Sequence, residues 1–115
     1  MKQIIEELTN ILSVPVLPFE TPKIQDCVCY KYYMERNTGA VEQYRLELRI
    51  ITKTVASAED IKQKILQALV TVADNEKLGY KSCELNGGGA LKDADTNTIH
   101  TLLYFDITTK SEVMI

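Results

Sequence analysis

His100 is the only histidine in the chain, and it follows a segment rich in glycine and acidic residues, "ELNGGGALKDADTNTIH". Phosphate, metal and acid–base sites are built from such residues, so each chemistry can be tested by spacing. A phosphate-cradling loop needs Gly-x-x-x-x-Gly-Lys-Ser/Thr between a strand and a helix, so that amides and the helix dipole hold the anion. Here Gly87, Gly88 and Gly89 run into Ala90, Leu91, Lys92 and Asp93, and no Gly-Lys-Ser/Thr follows. The dinucleotide pattern G-x-G-x-x-G also fails, because Lys92 stands where the third glycine belongs. Asp93, Asp95 and Asn97 have the alternating oxygens of a calcium loop, but Thr98 replaces the glycine that loop requires. A solvated polar loop explains them better.

A general base needs an oriented partner. Asp106 shares a strand face with His100 but lies six residues on. At roughly 3.3 Å per residue the two are about 20 Å apart. Glu47 or Glu84 could approach from a neighbouring strand, and Cys83 is a candidate nucleophile. The three cysteines, Cys27, Cys29 and Cys83, are an odd number with no secretory signal ahead of them, which argues against a disulfide framework. Cys27 and Cys29 point to one face of a strand-like run. A metal site of the usual kind needs four ligands in paired spacings, and the chain has one histidine and no C-x-x-C. Two small, half-buried side chains are the better expectation. No Ser/His/Asp or Cys/His arrangement is visible. The expectation is a protein that is not an enzyme, with no catalytic, cofactor or metal residues.

Composition agrees with that. The chain has 115 residues, 45% hydrophobic and 25% charged, which predicts a single globular domain over residues 1–115. A net charge of −3 gives no general attraction to nucleic acid or anionic membranes. Neither a nucleic-acid motif nor a membrane-length apolar run of about 20 residues is present. Glu6 and Glu7 interrupt the N-terminal apolar pattern, so it does not read as a signal peptide. A reducing cytoplasm is expected.

The elements that must position these residues follow from periodicity. Ile4, Leu8, Ile11 and Leu12 predict a short helix over 2–12. The proline-bearing lead at 13–24 predicts an extended connector packed on the body. Residues 26–35 read as a strand with Val28, Tyr30, Tyr32 and Met34 on one face and Cys27, Cys29, Lys31 and Tyr33 on the other. Residues 41–53 alternate Tyr44, Leu46, Leu48 and Ile50 with Gln43, Arg45, Glu47 and Arg49, a strand with one buried and one wet face. Together the two make an antiparallel hairpin. Ser57, as N-cap, opens a helix over 57–74 with Asp60 in capping-box spacing and Ile61, Ile65, Ala68, Leu69 and Val72 as its stripe. Short and long strands follow at 79–85 and 97–109. The order α-β-β-α-β-β predicts an α+β fold: a mainly antiparallel sheet of about four strands covered by the longer helix.

This order of features resembles the tail-terminator (tail-completion, or head–tail joining) proteins of long-tailed phages and prophages. The resemblance covers about residues 3–110. It lies in the helix "IIEELTNIL", the lead "VPVLPFETPKIQ", the aromatic strand "CVCYKYYM", the central "VEQYRLELRIITKTVASAEDIKQKILQAL" and the closing strand "DADTNTIHTLLYFDITTK". It implies a ring-forming subunit, typically a hexamer, that caps the tail tube and joins it to the head. Its partners would be copies of itself, the tail tube and head-completion proteins. It would have no cofactor and no catalytic residues. Its place would be the host cytoplasm during assembly and then the virion tail. The glycine triplet does not map onto the family's features.

Physical reasoning also points to self-association. Tyr33, Leu102 and Tyr104 are apolar residues on otherwise polar strand faces, which can mark a contact surface. Gly87, Gly88, Gly89, Asp93 and Asp95 lie in a connection of about twelve residues, long for a hairpin. The expectation is a protruding assembly loop over 86–97. The competing reading is a non-catalytic small-molecule or regulatory binding module.

Overall fold

The computed structural model describes residues 2–19, 26–70, 75 and 78–110. The two longest alternating segments form its centre. β3 (Val41–Thr52) and β5 (Thr98–Lys110) pair antiparallel along their whole length, from Val41↔Lys110 to Thr52↔Ile99. β2 (Cys27–Asn37) joins the other side of β3 and β4 (Ser82–Asp93) the other side of β5, both antiparallel. A short β1 (Val16–Pro18) adds to β2 in parallel, giving a five-stranded mixed sheet of order β1-β2-β3-β5-β4. The expected α+β fold is observed, with a fifth strand where an extended connector was expected. Proline lacks only its N–H, and the lead pairs through the groups that remain. Val28 N donates to the Pro15 carbonyl at 2.9 Å and Phe19 N to the Tyr30 carbonyl at 2.9 Å.

Alternation decides the layers. Val28, Leu46, Leu48, Ile50, Leu103, Phe105, Ile107 and Cys83 face one side of the sheet and are buried there. α1 (Lys2–Ile11) and α2 (Val55–Leu69) cover that side with Ile4 and Leu8, and with Ile61, Ile65 and Leu69. Each large side chain buried this way contributes roughly 1.5–3 kcal/mol before conformational entropy is subtracted. The opposite face has no helix over it among the described residues.

The start of α2 differs from the sequence reading. The N-cap is Thr54, not Ser57: extended Thr54 (φ −128°, ψ 153°) accepts at Oγ1 from Ser57 N at 3.2 Å. Thr54 Oγ1 also donates to Ser57 Oγ at 2.9 Å. A threonine three residues upstream satisfies an orphan amide as well as Ser57 would, and it gains another turn of helix. Asp60 therefore lies past the cap, where it pairs with Lys64 at 3.2 Å. The helix ends at Leu69, with Val70 N donating to the Leu66 carbonyl; residues 71–74 lie outside the described residues.

The expected loop at 86–97 is a correction. β4 continues through the glycines to Asp93, paired with β5, and only residues 94–97 form the turn. The sheet thus carries a hairpin tip at each end, residues 38–40 and 94–97, and the molecule is long, 51 × 22 × 21 Å.

Candidate assembly surfaces

The glycine triplet is a β-bulge. Pairing of β4 with β5 slips between Leu85 and Gly88, then resumes as Gly88↔Leu103 and Gly89↔Leu102. At Gly87 φ is +110°, and a Cβ would meet Tyr104 Cδ2 at 3.3 Å. At Gly88 φ is +157°, and a Cβ would stand 2.3 Å from the Leu102 carbonyl oxygen. Side chains do not fit that approach, so glycine is what lets β4 lie against β5 here. A Cβ at Gly89 would meet nothing within 4 Å. The bulge therefore brings Gly87, Gly88, Gly89, Leu102 and Tyr104 together. Asp93 and Asp95 lie apart from them at the hairpin tip, where Asp95 N donates to Asp93 Oδ1 at 2.9 Å and Asn97 takes a left-handed φ of 55°. Tyr33 lies across the sheet on β2, in the row Tyr33–Arg45–Asp106–Glu84.

Beside the bulge, the open face is polar and cross-linked. Arg45 reaches Asp106 and Glu47, each at 3.6 Å, and its guanidinium lies 4.8 Å from the centre of the Tyr104 ring. Asn86 Nδ2 donates to Asp106 Oδ2 at 2.5 Å. Buried Asp106 Oδ1 and Arg49 Nε make no hydrogen bond. Arg49 instead stacks over Phe19, 5.6 Å from its ring centre.

His100 stands on the open face of β5 and Cys83 in the core beside Ile107, so these two do not meet. His100 Nε2 lies 3.1 Å from Thr98 Oγ1 and 3.9 Å from Asp93 Oδ2. Asp93 is its carboxylate neighbour, rather than the Glu47 or Glu84 considered from the sequence, because β4 extends far enough to return it to that end of β5. Cys83 is buried in the core, and desolvation, then Asp106 and Glu84, pushes its thiol up to about 12. It stays protonated at neutral pH and has little nucleophilic character. Cys27 and Cys29 are fully buried rather than half-buried, packed with Ile51 against Leu17 and Phe19, which β1 brings alongside β2. Among the described residues, no three His, Cys, Asp or Glu side chains cluster as metal ligands would.

Two further surfaces were not legible from periodicity. One is an apolar groove of about 490 Å³ between α2 and the β4–β5 hairpin, lined by Val55, Ala58, Leu85, Ile99 and Leu103 among others. The other is the distal half of β2. Tyr32 and Met34 share the face of Val28, yet they are 45% and 47% exposed. Alternation marks the face correctly, but nothing in it says how far along the strand the helices reach.

No protein-family model matches the sequence, and no curated protein matches it. Among solved structures, the fold is similar to a chain in the virion of a native gene transfer agent particle. The TM-score is 0.65 over 90% of this chain and 84% of that one, at 14% sequence identity. At that identity the likeness shows the fold.

Proposed function

We propose that the protein is a structural subunit of a phage or prophage tail, the tail terminator, which forms a ring that caps the tail tube and joins it to the head. The observation that carries this reading is the fold shared, over most of both chains, with a component of a virion particle. The sequence resemblance to tail terminators, reached on other grounds, leads to the same kind of assembly. The shape supports it: a molecule 51 Å long, with a hairpin tip at each end and a sheet face that no described helix covers, offers contact surfaces on several sides.

On this reading the protein has no catalytic residue and needs no cofactor. Its partners are its own copies, the tube and the head-completion proteins. It acts in the host cytoplasm and then stays in the virion. The test is to mix purified protein with tail tubes and image the tube ends. Rings of uniform diameter seated on the ends support the reading. Bare ends, with a protein that stays monomeric at every concentration, contradict it. His100→Ala should leave ring formation intact, since the reading gives that side chain no chemical task.

The groove beside α2 favours the second reading, a small-molecule or regulatory binding module. A ligand that protects the protein against thermal unfolding, and loses that effect in Ala58→Trp, would support it over assembly.

A further inference from the structure

Among the described residues the sheet has two uncovered edges. β1 covers β2 only through Tyr30, so the outer edge of residues 31–36 has no strand partner among the described residues. β4 is the last strand on the other side. The direction of the free backbone groups follows from the bonds already made. Val28 N and the Tyr30 carbonyl point outward, to Pro15 and Phe19. Period-two geometry carries the same outward direction to Tyr32 and Met34, up to the bulge between Met34 and Arg36. Counting across four antiparallel strands, Cys83 and Leu85 are the outward-pointing residues of β4.

Tyr32, Leu46, Phe105 and Leu85 form one row across the sheet. Both ends of that row are exposed apolar side chains on the helix side, Tyr32 at 45% and Leu85 at 41%. β2 and β4 run in opposite directions. A second copy in the same orientation therefore brings its β2 antiparallel to the first copy's β4. In the register that continues the row, Tyr32 faces Leu85 and Met34 faces Cys83, outward groups against outward groups. On the open side, Lys31 then lies diagonally from Glu84, charge against opposite charge. Neither edge carries a proline in 31–37 or 82–93, the residue that would block such pairing.

We infer that copies of this chain join edge to edge, with residues 31–34 of one pairing antiparallel with residues 83–86 of the next, and with Tyr32 seated at the mouth of the groove beside Leu85. This rests on the reading of the protein as a self-assembling subunit. The contact is head-to-tail, with two different edges meeting, the kind that closes into a ring when its rotation closes. The bulges after Met34 and Leu85 bound the pairing and fix its register.

The test is a double variant, Tyr33→Cys with Glu84→Cys. Across the inferred contact these two form a non-hydrogen-bonded pair with Cα atoms about 4.5 Å apart, within disulfide reach. Within one copy they lie at opposite ends of a row, with β3 and β5 between them. Mild oxidation of the assembled protein should give a ladder of covalent oligomers on a non-reducing gel. Each single variant should give none, because the native cysteines are buried. If light scattering shows assembly but the double variant cross-links no more than the singles, the edge contact is wrong and the assembly reading stands. If scattering shows only monomer, alone and beside tail tubes, the assembly reading falls and the contact with it.

Discussion

At the residue scale, the glycine triplet divides into positions with different tasks. Gly88→Ala would drive a Cβ into the Leu102 carbonyl, a backbone group that cannot swing aside. The cost should be about 1–3 kcal/mol or more, read as a lower urea midpoint. Gly89→Ala has open space and should change stability little; an equal loss at both positions would contradict the bulge. The sequence shows the triplet plainly but not its purpose, because a glycine's role depends on what comes near it, and Leu102 and Tyr104 come near only through pairing. Cys83 and Tyr80 make a second prediction. Burial first, and then nearby negative charge, raises the thiol from 9.0 to about 12, and burial raises the Tyr80 hydroxyl from 10.0 to about 12. Tyr80 keeps that proton in a hydrogen bond to the Leu69 carbonyl. The unfolded chain releases both protons at lower pH than the folded chain. Their contribution is therefore fully present below about 9 and lost as pH rises toward about 12. Urea midpoints followed through that window should fall with pH, and Cys83→Ala should make the fall shallower. An unchanged slope in that variant would contradict the assignment.

At the element scale, strong alternation was readable and weak alternation was not. β3 and β5 each carry four large apolar residues in period-two register on one face, with mostly charged or polar residues on the other, and their boundaries are read from the sequence to within a residue or so. The distal half of β4, "NGGGALKD", has no apolar alternation to read, so it resembles a loop although its backbone is laddered to β5. β1 was hidden for a related reason: prolines mark extended chain but do not say whether it pairs. The start of α2 lies three residues before the one Ser57 suggests, because Thr54 and Ser57 are both good caps and the earlier one adds a further turn of helix. The extent of β4 yields an element-level prediction. Shortening the tip by replacing residues 94–97 with Asn-Gly should leave the fold and its thermal midpoint nearly unchanged, since a two-residue turn suits a hairpin. Removing residues 86–93 should instead destabilise the protein strongly, because it strips the pairs Gly88↔Leu103 through Asp93↔Thr98. Circular dichroism melts of the two deletions compare them directly, and equal tolerance of both would mean that the distal strand adds nothing to the core.

At the scale of the whole molecule, the described chain is a sheet with helices on one side, an open polar face on the other and apolar residues along both free edges. Tyr32, Tyr33 and Met34 on β2 and Leu85 and Leu91 on β4 are all more than a third exposed. Large apolar side chains on uncovered edges are an aggregation hazard in a monomer and a joint in an assembly. The sequence revealed the apolar character of Tyr33, Leu102 and Tyr104, but not that Leu102 and Tyr104 half-bury beside a glycine bulge while Tyr32 and Leu85 end one row. Such placement is a property of sheet register, which no single strand encodes. The central claim is assembly, and light scattering across a wide concentration range, with tail tubes present and absent, tests it most directly. The account predicts a discrete closed oligomer of uniform mass, formed alone or on the tubes. A monomer at every concentration, with no association with tubes, would contradict it.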